Sequence, residues 1–394
     1  MEEGSATLAS LYGKKRINRA VDSMSTNPIL KSLQTKAEYL YKYIYSNLTK
    51  VFILRRKSLD SFEDIRWWLR VTPWLSDSFS KVANVYSLPS HKKLPNVNDP
   101  GICYIHENID EFSDIELSDW IERWKNNGGK IIYDVVCNPF NPDSFNKIYK
   151  LSNIESALLM KRMQWLINKC DFITCPSKMI ADQLLAVNKN VTVVPYSLDK
   201  QLWHLDMKEE DVIPHNEEAK CKIGILDLTR NRIDYSNLLA VAKMLEKNHA
   251  DKLSFSHICV ESEVVIGKRK SLPKKQNYSN LIQWLFEVID WDIVIIPKIY
   301  DSGERDLLFK ICMSLGLCVV CENVVGLPSY AEDGYNCTVV DSDSVDGYAN
   351  AIIDLISHDE IRIAYAHNAK VTARQFDSDL QCCSLESLIY RENK

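Results

Sequence analysis

The stretch "DIVIIPKIYDSGERDLLFKICMSLGLCVVCE", Asp292 to Glu322, decides the fold. Its opening "DIVIIP" reads as a buried strand, Glu304 to Leu315 as a helix, and Leu317 to Cys321 as a second strand. Between the first strand and the helix stand Lys298, Asp301, Ser302, Gly303, Glu304 and Arg305. A polar loop running from a strand into a helix N-terminus is where parallel sheets receive anionic ligands.

The same rhythm extends outward in both directions. Upstream, "CKIGILDL" and "KLSFSHICVE" read as strands, with helices "YSNLLAVAKMLEKN" and "SNLIQWLFEVI" between and after them. Downstream, a short helical "PSYAED" leads to strand "CTVVD" and to helices from Val345 to Phe376. An earlier series runs through strands "KVFILRR", "GICYIHE", "KIIYDVV", "DFITC" and "VTVVPYS", with helices "FEDIRWWLRV", "ELSDWIERWKNN", "NIESALLMKRMQWLINK" and "SKMIADQLLAV". Apolar strands alternating with amphipathic helices specify a parallel sheet covered on both faces. The expected fold is therefore α/β, with two Rossmann-like doubly wound domains and a ligand cleft between them lined by strand C-terminal ends. The expected division is a helical extension over residues 1–49, a first domain over 50–200, a linker over 201–220, a second domain over 221–375 and a C-terminal helix over 376–394. That last segment, "SDLQCCSLESLIYRE", is expected to pack back across the junction.

Length and composition agree. The 394 residues suit two cores better than one. At 46% hydrophobic, 26% charged and a net charge of -5, the chain lacks the cationic surplus of a whole-chain nucleic-acid binder. No apolar run approaches the roughly 20 residues of a spanning helix, and "MEEGSATLAS" does not pattern as a leader. A cytoplasmic protein is expected, in peripheral contact with the inner membrane face at most. The 12 cysteines show no disulfide or metal spacing and read as buried thiols of a reducing compartment, with Cys382 and Cys383 expected to be exposed.

Taken in order, these segments resemble the GT-B fold glycosyltransferases, specifically the retaining group called family 4 or group 1, over about residues 50–375. "WLRVTPWL", "GGKIIYDVVCNPFNP", "CDFITCPSKMIADQL" with "VTVVPYSLDKQLW", "KIGILDLTRNRIDYSNL" and the opening stretch continued through "EDGYNCTVVD" carry the resemblance. The departures are specific. Gly303 and Ile311 stand where the family places two glutamates, Val136 and Cys137 where it places acids, Tyr196 where it has an asparagine, and Asn231 where a histidine is sometimes found. The resemblance implies a metal-independent, retaining transferase that takes a nucleotide-sugar donor as substrate and needs no cofactor. A glycan or lipid-linked glycan acceptor is implied, and bacterial surface polysaccharide synthesis with a partner glycosyltransferase is the expected setting. A non-catalytic GT-B domain that scaffolds a partner or recognises a glycan is the alternative the missing acids leave open.

The chemistry singles out residues. A departing nucleoside diphosphate gains negative charge, which fixed cations and backbone N–H groups stabilise. Donor-binding candidates are Arg230, Arg232, Ser302, Gly303, Arg305, Lys310 and Tyr330. Catalytic candidates are His106 and Asp134 at strand ends and Glu304, one residue from the family's first glutamate position. Glu107 and Arg70 are acceptor-binding candidates; Arg70 could also bind donor phosphate, and the competing reading of it is a helix-surface cation. The basic run Lys268 to Lys275 reads as an exposed loop able to touch anionic lipid headgroups. Trp67, Trp68 and Trp74 read as core.

Overall fold

A computed structural model describes residues 48–55, 61–89, 94–107, 112–142, 145, 152–206, 220–228, 235–259, 265–271, 278–298, 302–324, 327–341 and 343–390; for 55, 61–64, 87, 89, 271, 302, 304 and 390 it describes the backbone alone. The helical extension expected over residues 1–49 lies almost wholly outside these. Two six-stranded sheets follow one another along the chain. The first contains β1 (Thr49–Arg55), β2 (Ala83–Pro89), β3 (Ile102–His106), β4 (Lys130–Asp134), β5 (Phe172–Cys175) and β6 (Val191–Val193) in the order β2-β1-β3-β4-β5-β6. The second contains β7 (Cys221–Asp227), β8 (Leu253–Cys259), β9 (Lys268–Ser271), β10 (Ile293–Ile296), β11 (Cys318–Glu322) and β12 (Cys337–Val340) in the order β12-β11-β10-β7-β8-β9. Every pairing between these strands is parallel.

Alternation along the strands assigns the faces. In the first sheet Val51 and Ile53 point toward α1 (Ser61–Leu75), while Phe52 and Leu54 point toward α2 (Asp114–Asn126), α3 (Asn153–Lys169) and α4 (Lys178–Leu184). Ser113 and Ser152 start α2 and α3 with capping boxes closed by Glu116 and Glu155. In the second sheet Ile223 and Ile225 face α5 (Ser236–His249) and α8 (Val345–Ser357). Leu226, Val294 and Ile296 face α6 (Tyr278–Val288), α7 (Ser302–Ser314) and α9 (Asp359–Ala373).

The halves are tied together in two ways. Helix α1 sends Trp67, Val71 and Trp74 into its own core but Ile65 and Leu69 into the core of the second half. Helix α10 (Ser378–Tyr390) returns to seal the first sheet with Cys382, Leu385, Leu388 and Ile389. The residues 201–206 at the start of the expected linker are packed, with Trp203 and Leu205 buried in the second core.

Several sequence expectations need correcting. Strands β2 and β9 were not foreseen, and Lys268–Ser271 is an edge strand rather than a loop. Residues 328–333 form a turn and a bridge instead of a short helix. Cys382 is buried; among the cysteines Cys383 is the exposed one.

Candidate functional site

In a doubly wound sheet the crevice lies at the strand C-terminal edge where successive helices take opposite faces. In the first sheet that point falls between β1 and β3, since α1 and α2 cover opposite faces. His106 ends β3, and its neighbour in register, Asp134, ends β4. Asp134 is wholly buried and its carboxylate is used on both oxygens: Oδ2 accepts from Arg70 Nε at 3.0 Å and His106 Nδ1 at 2.7 Å, and Oδ1 accepts from Thr174 Oγ1 at 2.6 Å and from the Arg70 guanidinium. Burial alone would push that carboxyl up, but Arg70 and the His106 hydrogen bond hold it well below the usual carboxylate range. An ionised carboxylate can only accept, so the proton of the His106–Asp134 contact sits on Nδ1. Nε2 then faces Glu107, whose Oε2 is 3.8 Å away and is held at 3.3 Å by Arg66. Glu107 adopts a left-handed backbone, φ 51°, that turns it back over the strand end.

This arrangement revises the expected role of Arg70. With a relative exposure of 0% it neither lines an open acceptor surface nor lies on a helix surface, because both edges of its guanidinium are engaged by Asp134 and the Val194 carbonyl. Asp134, expected as a catalytic group, is likewise enclosed and touches His106 rather than solvent.

In the second sheet β7 and β10 flank the corresponding point, with α5 leaving on one face and α7 on the other. The first turn of α7 holds Ser302, Gly303, Glu304 and Arg305; the side chains of Ser302 and Glu304 lie outside the described residues, and Gly303 and Arg305 are buried. Arg230 and Arg232 also lie outside the described residues. Lys310 and Tyr330, expected to open onto a donor, are instead joined through Asp306. Lys310 Nζ is 2.9 Å from Asp306 Oδ2 and 3.1 Å from the Tyr196 carbonyl, while the Tyr330 hydroxyl donates to Asp306 Oδ1 at 2.7 Å. Burial lowers the Lys310 pKa against the pull of Asp306. Tyr196 also carries the Arg70 guanidinium over its ring at 5.4 Å, so a short path runs between the clusters of the two halves.

The sequence reading put Lys298 in the polar loop after the strand but did not foresee the cluster it forms. Lys298, two residues past β10, lies 2.9 and 2.8 Å from the two carboxylate oxygens of Asp343 and 3.8 Å from Glu322 at the end of β11. Asn237, in the first turn of α5, reaches the same Asp343 oxygen at 3.5 Å. Arg66 and Thr174 were missed as well, because their partners lie 40 or more residues away in sequence. Among the described residues no group of three or more His, Cys, Asp or Glu side chains is placed to hold a metal ion.

No sequence-family profile matches the chain, nor does any curated relative. Solved structures do. A glycosyltransferase from Rickettsia africae aligns over 88% of this chain and 98% of its own, at 12% identity and a TM-score of 0.53. Anabaena HepE in complex with UDP-glucose aligns over 87% and 100%, at 12% identity and a TM-score of 0.54. The chain has the GT-B fold. Sucrose-phosphate synthase from Thermosynechococcus elongatus superposes over 87% of the chain and 98% of its own, at 9% identity and a TM-score of 0.53. The GT-B architecture places the His106 cluster in its first half and the Lys298 cluster in its second, each at the C-terminal edge of a parallel sheet. No helix among the described residues is long and apolar enough to cross a membrane.

Proposed function

We propose that this chain is a nucleotide-sugar-dependent glycosyltransferase, retaining and metal-independent, that extends a glycan or lipid-linked glycan in bacterial surface polysaccharide synthesis at the cytoplasmic side of the membrane. The observation that carries the reading is whole-length likeness in fold, over 87% of the chain, to a protein solved with UDP-glucose. The site geometry agrees with it. Helices α5 and α7 follow β7 and β10, the adjacent strands at the parting point, so both helix starts lie at the sheet edge where a diphosphate is received in this fold class. In this reading the amides around Ser302 to Arg305 and the loop cations Arg230 and Arg232 stabilise the charge of the departing diphosphate, and Glu304 contacts the donor sugar. In the same reading His106, its Nδ1 bonded to Asp134 and its Nε2 turned to Glu107, is the group that would accept or orient the proton of an acceptor hydroxyl brought to that pair.

The test is direct. The purified chain is titrated with UDP-, GDP- and dTDP-sugars, and hydrolysis or transfer is followed with and without EDTA; at least one donor is expected to bind and turn over equally in both. Absence of binding and hydrolysis across the panel would remove the proposal. Proton NMR of the first-formed product reports the anomeric outcome, with retention expected.

A further inference from the structure

We infer that Asp343 is an internal stand-in for an anionic ligand, and that Lys298 and Asn237 are the residues that bind the donor diphosphate once Asp343 is displaced. The inference rests on the donor reading given above and adds residues and a competitor to that site. Three observations converge. Lys298 follows β10, one of the two strands flanking the parting point of the second sheet. Asn237 lies in the first turn of α5, which follows the other, β7; that turn contains no acidic side chain, and its N-cap residue, Tyr235, makes no side-chain capping bond. A helix start so arranged attracts an anion from elsewhere.

Asp343 supplies it. Its carboxylate bridges the two elements, within 2.9 Å of Lys298 through both oxygens and at 3.5 Å from Asn237 through one. Two anionic oxygens on one ammonium is also the pattern a phosphate group presents. The carboxylate belongs to a surface segment beyond β12, its side chain is 65% exposed, and its backbone is left-handed with φ 62°. Its side chain is therefore held by polar contacts at the surface. Glu322 is different: it is 5% exposed, 3.8 Å from Lys298, and stays where it is. Exchange of one anion for another keeps Lys298 compensated throughout.

Calorimetric titration with UDP, GDP and dTDP decides the matter, using the full chain and the variants Asp343→Asn, Asp343→Gly and Lys298→Gln. Asn and Gly both accept a left-handed backbone, so neither disturbs the turn. Both are expected to bind the preferred nucleotide 5- to 20-fold more tightly than the parent, on the order of the worth of a charge-assisted contact. Lys298→Gln is expected to bind at least 10-fold more weakly, and Lys298→Gln/Asp343→Gly no better than Lys298→Gln alone. Asp343 variants that bind no tighter than a parent that does bind nucleotide would overturn this inference and leave the donor reading standing. Absence of nucleotide binding by parent and variants alike would overturn both.

Discussion

Asp134 is charged, enclosed and compensated from several directions, so its contribution depends on partners drawn from different elements. Arg70→Met leaves that carboxylate without its principal counter-ion, and a loss of about 3–5 kcal/mol in urea denaturation is expected. Because the carboxyl is held below its ordinary value of 3.8, the stabilisation is fully present above that pH and is lost as acid titrates the folded state. His257 also loses stability on acidification, over a higher window and because its charged form is the one disfavoured by folding. Buried on β8 with neither ring nitrogen hydrogen-bonded, it is pushed down to about 4 by burial and by Arg269 on the neighbouring strand. Between 6.5 and about 4 the unfolded chain therefore binds the extra proton, and acidification through that window lowers stability. His257→Phe is expected to remove roughly 2 kcal/mol of that pH dependence, read as the difference between parent and variant unfolding curves at pH 7 and pH 4.5. Parallel curves for the two proteins would show that the imidazole does not titrate as the geometry requires.

The elements legible in the sequence were those with an apolar period; the ones that escaped sit at sheet edges. β2 and β9 are both edge strands, and "KRKS" has no apolar residue at all. Lysine and arginine on an edge discourage further pairing, which is also why the segment looks like a loop. The helix expected over "FEDIRWWLRV" runs on past Pro73 to Leu75. Having no N–H, Pro73 leaves the Leu69 carbonyl without its helical donor, and Ser197 N–H bonds there at 2.9 Å instead. One imino acid thus fastens α1 to the segment between the halves. Gly224 is another position decided by a distant neighbour. A Cβ there would come within 1.8 Å of the Trp291 ring, so Gly224→Ala is expected to cost about 1–3 kcal/mol by overpacking. Adding Trp291→Leu should recover part of the loss, and strictly additive effects in chemical denaturation would contradict the contact.

At the scale of the whole molecule, two parallel sheets and their likeness to the GT-B fold could be read from strand–helix alternation, while the candidate site could be read only in part. His106 and Asp134 were legible as polar residues ending apolar strands; their binding to Arg70 was not, because nothing local in "RWWLRV" distinguishes a buried arginine from a surface one. The junction is similarly non-local. Trp68 of α1 stacks on Tyr278 of α6 with centroids 5.2 Å apart and planes 17° from parallel, and the Tyr278 hydroxyl accepts from Trp203 at 2.8 Å. Trp68→Ala is expected to loosen this contact and split one calorimetric transition into two, since the stack joins the cores of the two halves. A single transition of unchanged width would show that the halves are coupled elsewhere. The chain also passes between the halves twice at one place, where Leu198 N–H bonds the Phe376 carbonyl at 2.8 Å and Ser378 N–H bonds the Leu198 carbonyl at 3.0 Å. That crossing imposes an order on biosynthesis. The strands begun earliest on the ribosome are covered on one face only in part by α1 until Leu385, Leu388 and Ile389 emerge, so the half that is started first is finished last. A nascent chain arrested anywhere in the second sheet would expose that face to holdase chaperones and to its neighbours on the polysome.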